Sequence, residues 1–570
     1  MSEDRPAGRP PAGDVLQRLI GAETEYAIHF VPGAGAERVS DQALFSALQR
    51  QLMTMIQTRE GRGTLARVQQ KQFWENGGAL YYESADPSQK TGLIEASTPE
   101  CRGPGQLLLY QRAQERLLFE AISSLTDVPG TLSLRKNCRD AAGNIYGAQE
   151  SYSVPVATGW RLRLLRLGLV GVITVMLPCA LLCRLLSMLM IVVLIGALVM
   201  LLPFELILTL TLRRSRRRAP FDWIEPLVQP IYHVEMAIRR GCLTLPTLLF
   251  IVLMRALAFR PHSTHAAAFL ASRQLFSGAG TLLEEGQLAL AEKASVVQRV
   301  FPVRMWGKQR YMFDPANLYK DLLSPSFGDS RRLLRLARPV WRLQVGMSDA
   351  NMCQVAEYLK IGTTVLVFDA AEAGVLDDAP RLARPADATR AISVGGLHAE
   401  VELRDGRRIT ALALQRWYHQ RVRDWLAESG AVSMEAHDVL QRWGDVLNRL
   451  EHDPESLVGE VDWITKRALL AEAGEDLSAA AQKKIDLRYH ELGSGYFSWM
   501  DEAGLAVNLL TESPILTAMR TAPDDTPATH RGRLIRESGP ELRVDWDEAS
   551  VGRRVIAFAD HARRRSERKP

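Results

Sequence analysis

Hydrophobic and polar positions along the chain change period several times, and the period of each stretch predicts its secondary structure. Apolar residues recur at every third or fourth position, as in an amphipathic helix, over residues 41–55, 107–124, 411–428 and 433–450. Short β-rich runs bounded by Gly, Pro or Asp predict strands at residues 20–30, 79–83, 93–96, 132–135, 343–345, 364–368 and 401–403. Because helices and strands are mixed without strict βαβ alternation, the pattern predicts an α+β fold with an antiparallel sheet.

One apolar block interrupts this pattern. Residues 167–212 form a stretch of 46 residues with two charged side chains, Arg184 and Glu205. A membrane-spanning helix needs about 20 apolar residues, and the stretches 167–183 and 185–204 are each close to that length. The block therefore predicts a transmembrane helical hairpin with Arg184 near its turn. A buried hairpin in the core of a soluble domain is the alternative.

Arginines flank the apolar block on both sides, and they predict its orientation. Three precede it, at positions 161, 163 and 166, and five follow it, at positions 213, 214, 216, 217 and 218. Since positively charged flanks stay in the cytoplasm, the chain is expected at the cytoplasmic face of the inner membrane. A further apolar stretch, 243–254, has the length of a core or interfacial segment.

Composition limits the chemistry only coarsely. The net charge of +5, from 70 Lys and Arg against 65 Asp and Glu, is small for a nucleic-acid-binding protein of 570 residues, so no nucleic acid is expected as a partner. The six cysteines include no CxxC pair, which argues against a structural zinc site and a disulfide scaffold. Residues 1–13 predict a disordered tail rich in Pro, Gly and charge, and residues 557–570 a basic tail.

Acidic residues concentrate in the predicted strands near the N-terminus. Glu23 and Glu25 are two positions apart, so both side chains project from one face of a strand. Such carboxylates repel each other unless they meet a hard metal ion such as Mg²⁺, an Arg or Lys partner, or water. Acidic and hydroxyl side chains recur in the next two strands, at Tyr81, Glu83, Glu95, Thr98 and Glu100. One acidic sheet surface of this kind can hold Mg²⁺ with nucleotide phosphates and leave one carboxylate as a base.

Ten short strings of the chain resemble, in their order, the Pup ligase and Pup deamidase/depupylase family. They are GAETEYAIHF, NGGALYYE, STPEC, NCRDAAGNIYGAQESY, SRQLFSGAG, SDANMCQVAEYLKIGTT, DGRRITALALQRWY, EVDWITKRALL, DLRYHEL and HRGRLI, the last followed by VDW. Each string alone is a weak signal. Their joint order is specific, and it covers most of residues 15–155 and 262–556.

The resemblance implies a fold, cofactors and partners. The fold is a glutamine-synthetase-like carboxylate-amine ligase domain over residues 14–155 and 262–475, a hydrophobic insertion over 160–261, and a small C-terminal domain over 476–556. The implied cofactors are ATP and Mg²⁺. The implied partner is a Pup-like small protein modifier with its conjugates, together with a link to the bacterial proteasome.

The resemblance also implies roles for single residues. Glu83 stands where the family has its catalytic aspartate, and Asp86, in a longer stretch than the family has there, is the alternative base. The residues implied to lie at the metal site are Glu23, Glu25, Tyr81, Glu95 and Glu150. Those implied to contact the nucleotide are Thr98, Arg531 and Trp546. Without the resemblance, Trp546 would be taken for a packed core aromatic.

Several positions depart from the family pattern. Ala79 replaces a nucleotide-binding Arg, Gln149 a His and Ser151 an Asn, and Glu83 is one methylene longer than Asp.

Three functions remain open. Amide or isopeptide hydrolysis of the depupylase/deamidase type is slightly favoured by the strings YLKIGTT, LARP and ALQRWY. The others are ligation of the modifier's Glu to substrate Lys, and binding of a modifier or nucleotide by a catalytically weak membrane-tethered paralogue.

Overall fold

A ten-stranded antiparallel sheet forms the centre of the fold. The structure is a computed structural model, and it describes residues 15–61, 68–83, 92–211, 225–283, 286–302, 310–314, 337–430, 432–474, 476–552 and 554–558. The strands of this sheet are β1 Leu19–Pro32, β2 Thr58–Glu60, β3 Val68–Trp74, β4 Ala79–Glu83, β5 Leu93–Ser97, β6 Cys101–Arg102, β7 Gly130–Arg135, β8 Gln149–Pro155, β11 Phe313–Asp314 and β12 Val340–Val345. Their order is β11-β12-β8-β1-β5-β4-β3-β2, with β6 and β7 also paired to β1.

Burial alternates along the central strand, β1, which shows that one face of the sheet is buried and the other is more open. Ile20, Ala22, Thr24 and Tyr26 are buried, and the residues between them are only partly covered. This alternation follows from the two-residue repeat of an extended strand, whose side chains point to opposite faces. The sequence prediction of an antiparallel sheet is confirmed, and the partly covered face carries the acidic residues.

Helices cover the buried face. Their bounds are α1 Asp41–Met55, α2 Pro104–Ser123, α3 Gly159–Thr211, α4 Glu225–Leu257, α5 Arg260–His265, α6 Ala267–Ser272, α7 Gln274–Ser277, α8 Gln354–Glu372, α9 Pro385–Gly395, α10 Ala411–Glu428, α11 Met434–His452, α12 Asp462–Glu472, α13 Ala479–Arg488, α14 Tyr496–Glu502, α15 Glu512–Ala518 and α16 Pro527–Glu537. Two further hairpins are small: β9 Thr281–Leu282 with β10 Leu288–Ala289, and β13 Glu400–Glu402 with β14 Arg408–Thr410. The four predicted helices all form.

One predicted strand is wrong. Residues 364–368 lie inside α8, which is buried on all sides from Gln354 to Ala371. A short apolar run has the same appearance in a buried helix and in a buried strand, so its own periodicity could not distinguish the two. The helix continues on both sides of the run, and its packing in the core decides the conformation.

A small three-stranded sheet near the C-terminus closes one edge of the central sheet. It consists of β15 Leu542–Val544, β16 Glu548–Val551 and β17 Arg554–Ala557. Val544 forms a parallel bridge with Gly61, just after β2. Helix α16 packs on the turn between β3 and β4, where a Cβ on Gly77 would lie 2.7 Å from the Cβ of Ala528. The C-terminal segment therefore borders the acidic end of the sheet.

The apolar block does not form the predicted hairpin. One continuous helix, α3, runs through residues 159–211 and past Arg184, and the chain returns along it in α4. The segments Gly159–Val193 and His233–Leu257 are each long and apolar enough to cross a membrane, and 28% of the most apolar window of each is buried. Arginines 213–218 lie outside the described residues.

Candidate active site

The open face of the sheet gathers the predicted acidic residues into rows. The register places Glu25 of β1 opposite Glu95 of β5, and Glu95 opposite Tyr81 of β4. Two residues earlier on β1, Glu23 lies opposite Ser97 of β5, and Ser97 in turn lies opposite Ala79 of β4. Residues directly opposite each other across strands point to the same face. The structure therefore brings together Glu23, Glu25, Tyr81 and Glu95.

Glu83 lies at the end of the same face. It is opposite Leu93, which in turn is opposite Ala27, two residues from Glu25 along β1. Burial raises the pKa of Glu25 to about 7, and the nearby charge of Glu83 adds to the increase, while Lys293 and Arg310 oppose it. Burial therefore favours the protonated form of Glu25 more than it would be favoured in water. A cation bound beside Glu25 would favour its charged form.

Tyr81 stays a neutral phenol in the middle of the acidic face. Its hydroxyl lies 2.8 Å from the Ser97 Oγ. Burial raises the pKa of Tyr81 well above its usual range, and the charges of Glu95 and Glu23 raise it further. The residue therefore offers a neutral oxygen to a ligand rather than a phenolate.

Two residues that the sequence reasoning missed reach this face from β12. Arg342 forms an ion pair with Glu23, and its Nε donates to the Ser151 Oγ at 2.8 Å. The Gln344 amide donates to Glu23 at 3.5 Å. Gln344 is opposite Ser151 in the register, which places β8 and β12 side chains beside those of β1. The alternation of side chains along the strand at residues 340–345 could have indicated this pair, since residues 342 and 344 share one face.

Glu150 is not part of this set. It lies opposite Ala22, on the buried face, whereas its neighbour Gln149 lies opposite Glu23. Both carboxylate oxygens accept from Arg273, at 2.7 and 2.9 Å, and the hydroxyls of Ser348 and Tyr152 donate to them as well. Burial alone would raise the pKa of Glu150, but Arg273 and Lys360 outweigh it and hold the pKa below its usual value. The structure therefore pairs Glu150 with a guanidinium, on the sheet face opposite the acidic residues.

Arg531 is also committed to protein partners. Its Nε and Nη1 donate to the carbonyl oxygens of Gly77 and Trp546, each at 2.9 Å, and Nη1 and Nη2 reach the carboxylate of Glu100. The side chain is fully buried. These donors hold the C-terminal segment against the β3–β4 turn, and the phosphate contact of Arg531 stays a prediction.

Trp546 and Thr98 border the acidic face in different ways. The half-buried Trp546 ring meets Phe73 edge-on at 5.1 Å. The Lys71 ammonium lies 5.5 Å from the Trp546 ring centroid and 3.0 Å from the Asp545 carboxylate. Thr98 is buried, and its hydroxyl accepts from the Ala22 amide at 3.0 Å. Trp546 is thus half-buried beside Phe73, Lys71 and Arg531, whose guanidinium lies 4.6 Å from the ring centroid, whereas Thr98 joins the end of β5 to β1.

Asp86, the alternative base, lies outside the described residues. Among the residues that the structure does describe, a further set of metal-ligand types is the buried trio Cys138, Glu292 and Asp349. The Asp349 oxygens accept from the backbone amides of Ala279, Glu292 and Lys293, and Glu292 accepts from the Cys138 amide. These bonds account for the trio as a structural feature of the core.

Comparisons with known proteins identify relatives along nearly the whole chain. The family model described as Pup-ligase protein matches residues 18–550. A depupylase of Acidothermus cellulolyticus is 26% identical over 93% of this chain and 90% of its own length. A Pup–protein ligase of Mycolicibacterium smegmatis is 29% identical over 93% of this chain and 92% of its own length.

Solved structures have the same fold. The Pup ligase PafA in complex with Pup superposes with a TM-score of 0.63 and 21% identity, covering 96% of this chain and 90% of that one. PafA in complex with ADP gives a TM-score of 0.54 and 20% identity, covering 93% of each chain.

Proposed function

This chain belongs to the Pup-ligase protein family, whose named members are enzymes, and from that premise we propose that it hydrolyses amide or isopeptide bonds at a Glu or Gln side chain of a Pup-like modifier. ATP and Mg²⁺ are the proposed cofactors. The observation that carries the proposal is the row formed by Glu25, Glu95 and Tyr81, with Glu23 beside it and Glu83 at its end. Relatives of both the depupylase and the ligase type support the substrate class.

The donor set of the acidic face fits Mg²⁺. Glu23, Glu25 and Glu95 offer carboxylate oxygens on one sheet face, and Tyr81 adds a neutral oxygen. Hard oxygen ligands, together with substrate phosphates, are what Mg²⁺ prefers. When bound, the ion would supply charge neutralisation for phosphate oxygens. A relative of the same fold in complex with ADP supports a nucleotide beside these residues.

Glu83 is the proposed general base. It lies at the end of the acidic face, where its charge acts on Glu25. In hydrolysis its carboxylate takes a proton from water as the water oxygen attacks the carbonyl carbon of the modifier's side-chain amide. The C–N bond breaks as protonated Glu83 returns that proton to the leaving nitrogen, which restores the Glu83 carboxylate. The new carboxylic acid then ionises, and its proton is taken up by the released ammonia or lysine amine. Lys293 and Arg310 supply positive charge near this end of the face.

The test compares wild type with Glu83→Gln, an isosteric change that removes the base. The substrates are a Pup protein ending in Gln and a Pup–protein conjugate, each with ATP and Mg²⁺. We expect at least about 100-fold slower turnover for Glu83→Gln, the order of a general-base contribution. The matched control, Glu428→Gln, alters an exposed helix residue and should leave the rate unchanged. Equal rates for Glu83→Gln and wild type would refute the assignment, and loss of nucleotide binding would show a damaged site instead.

A second candidate function is ligation of the modifier's Glu to a substrate Lys. The named Pup–protein ligase relative favours it. In this direction the γ-phosphoryl group of ATP passes to the modifier's carboxylate, and the lysine amine displaces phosphate while Glu83 accepts its proton. The direction is decided by adding a Pup protein ending in Glu and a lysine-bearing acceptor protein to the same assay, because ligation consumes the free modifier and releases ADP while hydrolysis consumes the conjugate. Nucleotide or modifier binding with neither reaction would favour the catalytically weak paralogue.

We also propose that the chain acts at the cytoplasmic face of the inner membrane, on modifier conjugates that supply the bacterial proteasome. The exposed apolar surface of α3 supports the membrane part, since Leu181, Met188 and Val192 are each more than half exposed. Deletion of residues 167–212 should move the protein from the membrane fraction to the soluble one. Unchanged fractionation would refute membrane attachment through this segment.

A further inference from the structure

The two helices of the insertion pack against each other in an antiparallel pair, which fixes which residues lie at the same height. Gly168 of α3 faces Leu253 of α4, since a Cβ on Gly168 would lie 2.3 Å from a Leu253 methyl group. Further along, Cys183 of α3 contacts Cys242 of α4. The register therefore runs from Gly168 and Leu253 at the base of the pair to Cys183 and Cys242 higher up.

This register places arginines of the two helices at two levels, which we call the lower ring and the upper ring. Near the base, Arg166 of α3 lies at about the height of Arg255 of α4. Just above the two cysteines, Arg184 lies at about the height of Arg239 and Arg240. These five arginines are exposed, and Glu235 pairs with Arg239 at 3.6 Å. Between the rings, residues 167–183 and 241–254 contain no charged side chain.

We propose that the surface between the two rings, built by both helices, is the part of the insertion that enters a lipid bilayer. The proposal rests on the membrane attachment proposed above, and it adds α4, whose 243–254 stretch the sequence reading assigned to packing or the membrane surface. We call residues 167–183 of α3 and 241–254 of α4 the apolar belt.

The dimensions of the apolar belt fit a bilayer. Arg166 and Arg184 are eighteen residues apart, which is about 27 Å of helix, and Arg240 and Arg255 are fifteen apart, about 22 Å. The hydrocarbon core is about 30 Å thick. Arginine side chains extend outward from such a belt to the headgroups and make up the difference. Anionic headgroups would also attract the positive rings.

Exposure of apolar side chains on both helices favours lipid over a protein groove. On α3, Leu167 is 69% exposed, Val170 60% and Leu181 57%. On α4, Leu245 is 56% exposed and Val252 65%. Within the belt, apolar side chains are therefore exposed on both helices, as expected of a surface that lipid covers.

The natural cysteines allow a test on the unmodified full chain. Cys179, Cys183 and Cys242 lie in the belt, and Cys179 and Cys242 are partly exposed, whereas Cys101, Cys138 and Cys353 are buried in the rest of the protein. The protein is incorporated into vesicles of phosphatidylcholine with a minor fraction of phosphatidylglycerol, and labelling by a membrane-impermeant maleimide is read by peptide mass spectrometry. We expect Cys179 and Cys242 both to label at least about tenfold more slowly than in the detergent-free, lipid-free protein.

Each outcome of this test decides the proposal. Protection of Cys179 with free labelling of Cys242 would refute a belt made by both helices, while leaving membrane attachment through α3 intact. If Cys179 and Cys242 are both protected from the maleimide without lipid, and this protection increases with protein concentration, a second copy of the chain covers the belt and the lipid proposal is refuted. Labelling of both at the lipid-free rate would refute the proposal outright.

Charge insertion gives a second measurement. Leu248→Asp with Val252→Asp places two carboxylates on the exposed side of α4, and flotation with the same vesicles should fall at least about tenfold, given the cost of Asp in the hydrocarbon. The matched control, Val394→Asp, changes an exposed apolar residue of α9 and should float like wild type. Equal flotation of the α4 variant and the control would refute the proposal. Retained nucleotide binding shows that both variants are folded.

Discussion

Substitution of Glu150 separates its two assigned roles, metal ligand and core ion pair. The structure places Glu150 in a bidentate pair with Arg273, and each side chain is 2% exposed. Replacement of Glu150 by Ala would leave the Arg273 guanidinium buried, with Thr364 and Ser348 as its remaining side-chain acceptors. An uncompensated buried charge is costly because the protein interior solvates it poorly.

The expected loss is about 3–5 kcal/mol of unfolding free energy, the range for removing one partner of a buried pair. Urea unfolding followed by tryptophan fluorescence measures it. Substitution of both partners, Glu150→Leu with Arg273→Met, should recover most of the loss, because no charge is then left in the core. The apparent affinity for Mg²⁺, measured on whatever fraction stays folded, should match wild type.

The core ion-pair role of Glu150 is refuted if Glu150→Ala unfolds at the wild-type urea concentration but binds Mg²⁺ at least about tenfold more weakly. That result would make Glu150 a metal ligand. Glu23→Gln serves as the comparison, because Glu23 is on the open face with 20% of its side chain exposed. It should weaken Mg²⁺ binding strongly and change stability by less than about 1 kcal/mol.

Three further predictions concern stability. Burial raises the pKa of Glu372, but Arg18 and His262 together lower it more, from 4.5 to about 2. The contribution of Glu372 to stability is therefore present above pH 4.5 and is lost as the pH falls toward 2, and Glu372→Gln should flatten urea-unfolding stability across that window. Gly77→Ala, at a φ of +88° and in contact with Ala528, should destabilise the docking of α16 by about 1–3 kcal/mol, seen as faster proteolysis of the C-terminal segment. Arg531→Lys should accelerate the same cleavage, because one ammonium cannot reproduce the guanidinium's several bonds; a wild-type cleavage rate would contradict either account.

The composition of the acidic face could be predicted from the sequence, and its extent could not. Alternation along a strand is a local property, so Glu23 and Glu25 had to share a face. The same rule, applied to residues 149–155, would have put Glu150 on the face of Tyr152 and Val154, which is apolar and buried. The family resemblance outweighed that signal. Arg342 came from a strand distant in sequence, and no local pattern linked it to Glu23.

The fold shows the same division. The amphipathic helices and the antiparallel sheet could be predicted because each pattern depends on neighbouring residues alone. The helical state of residues 364–368 and the unbroken course of α3 past Arg184 depend on what surrounds each segment. The sequence alone located the apolar block and its arginines. It did not show that the arginines of α3 and α4 stand at matching heights, since that follows from the packing register.

By itself, then, the sequence determined the residue chemistry, the period of each element and which side chains within one strand share a face. The tertiary structure decided which of those faces became the core, which cation met each carboxylate, and which helix paired with α3. The physical reason is distance along the chain. Alternation acts over two residues, whereas Glu150 meets Arg273 across 123 residues and Glu23 meets Arg342 across 319. Only the folded packing brings such residues within reach of each other.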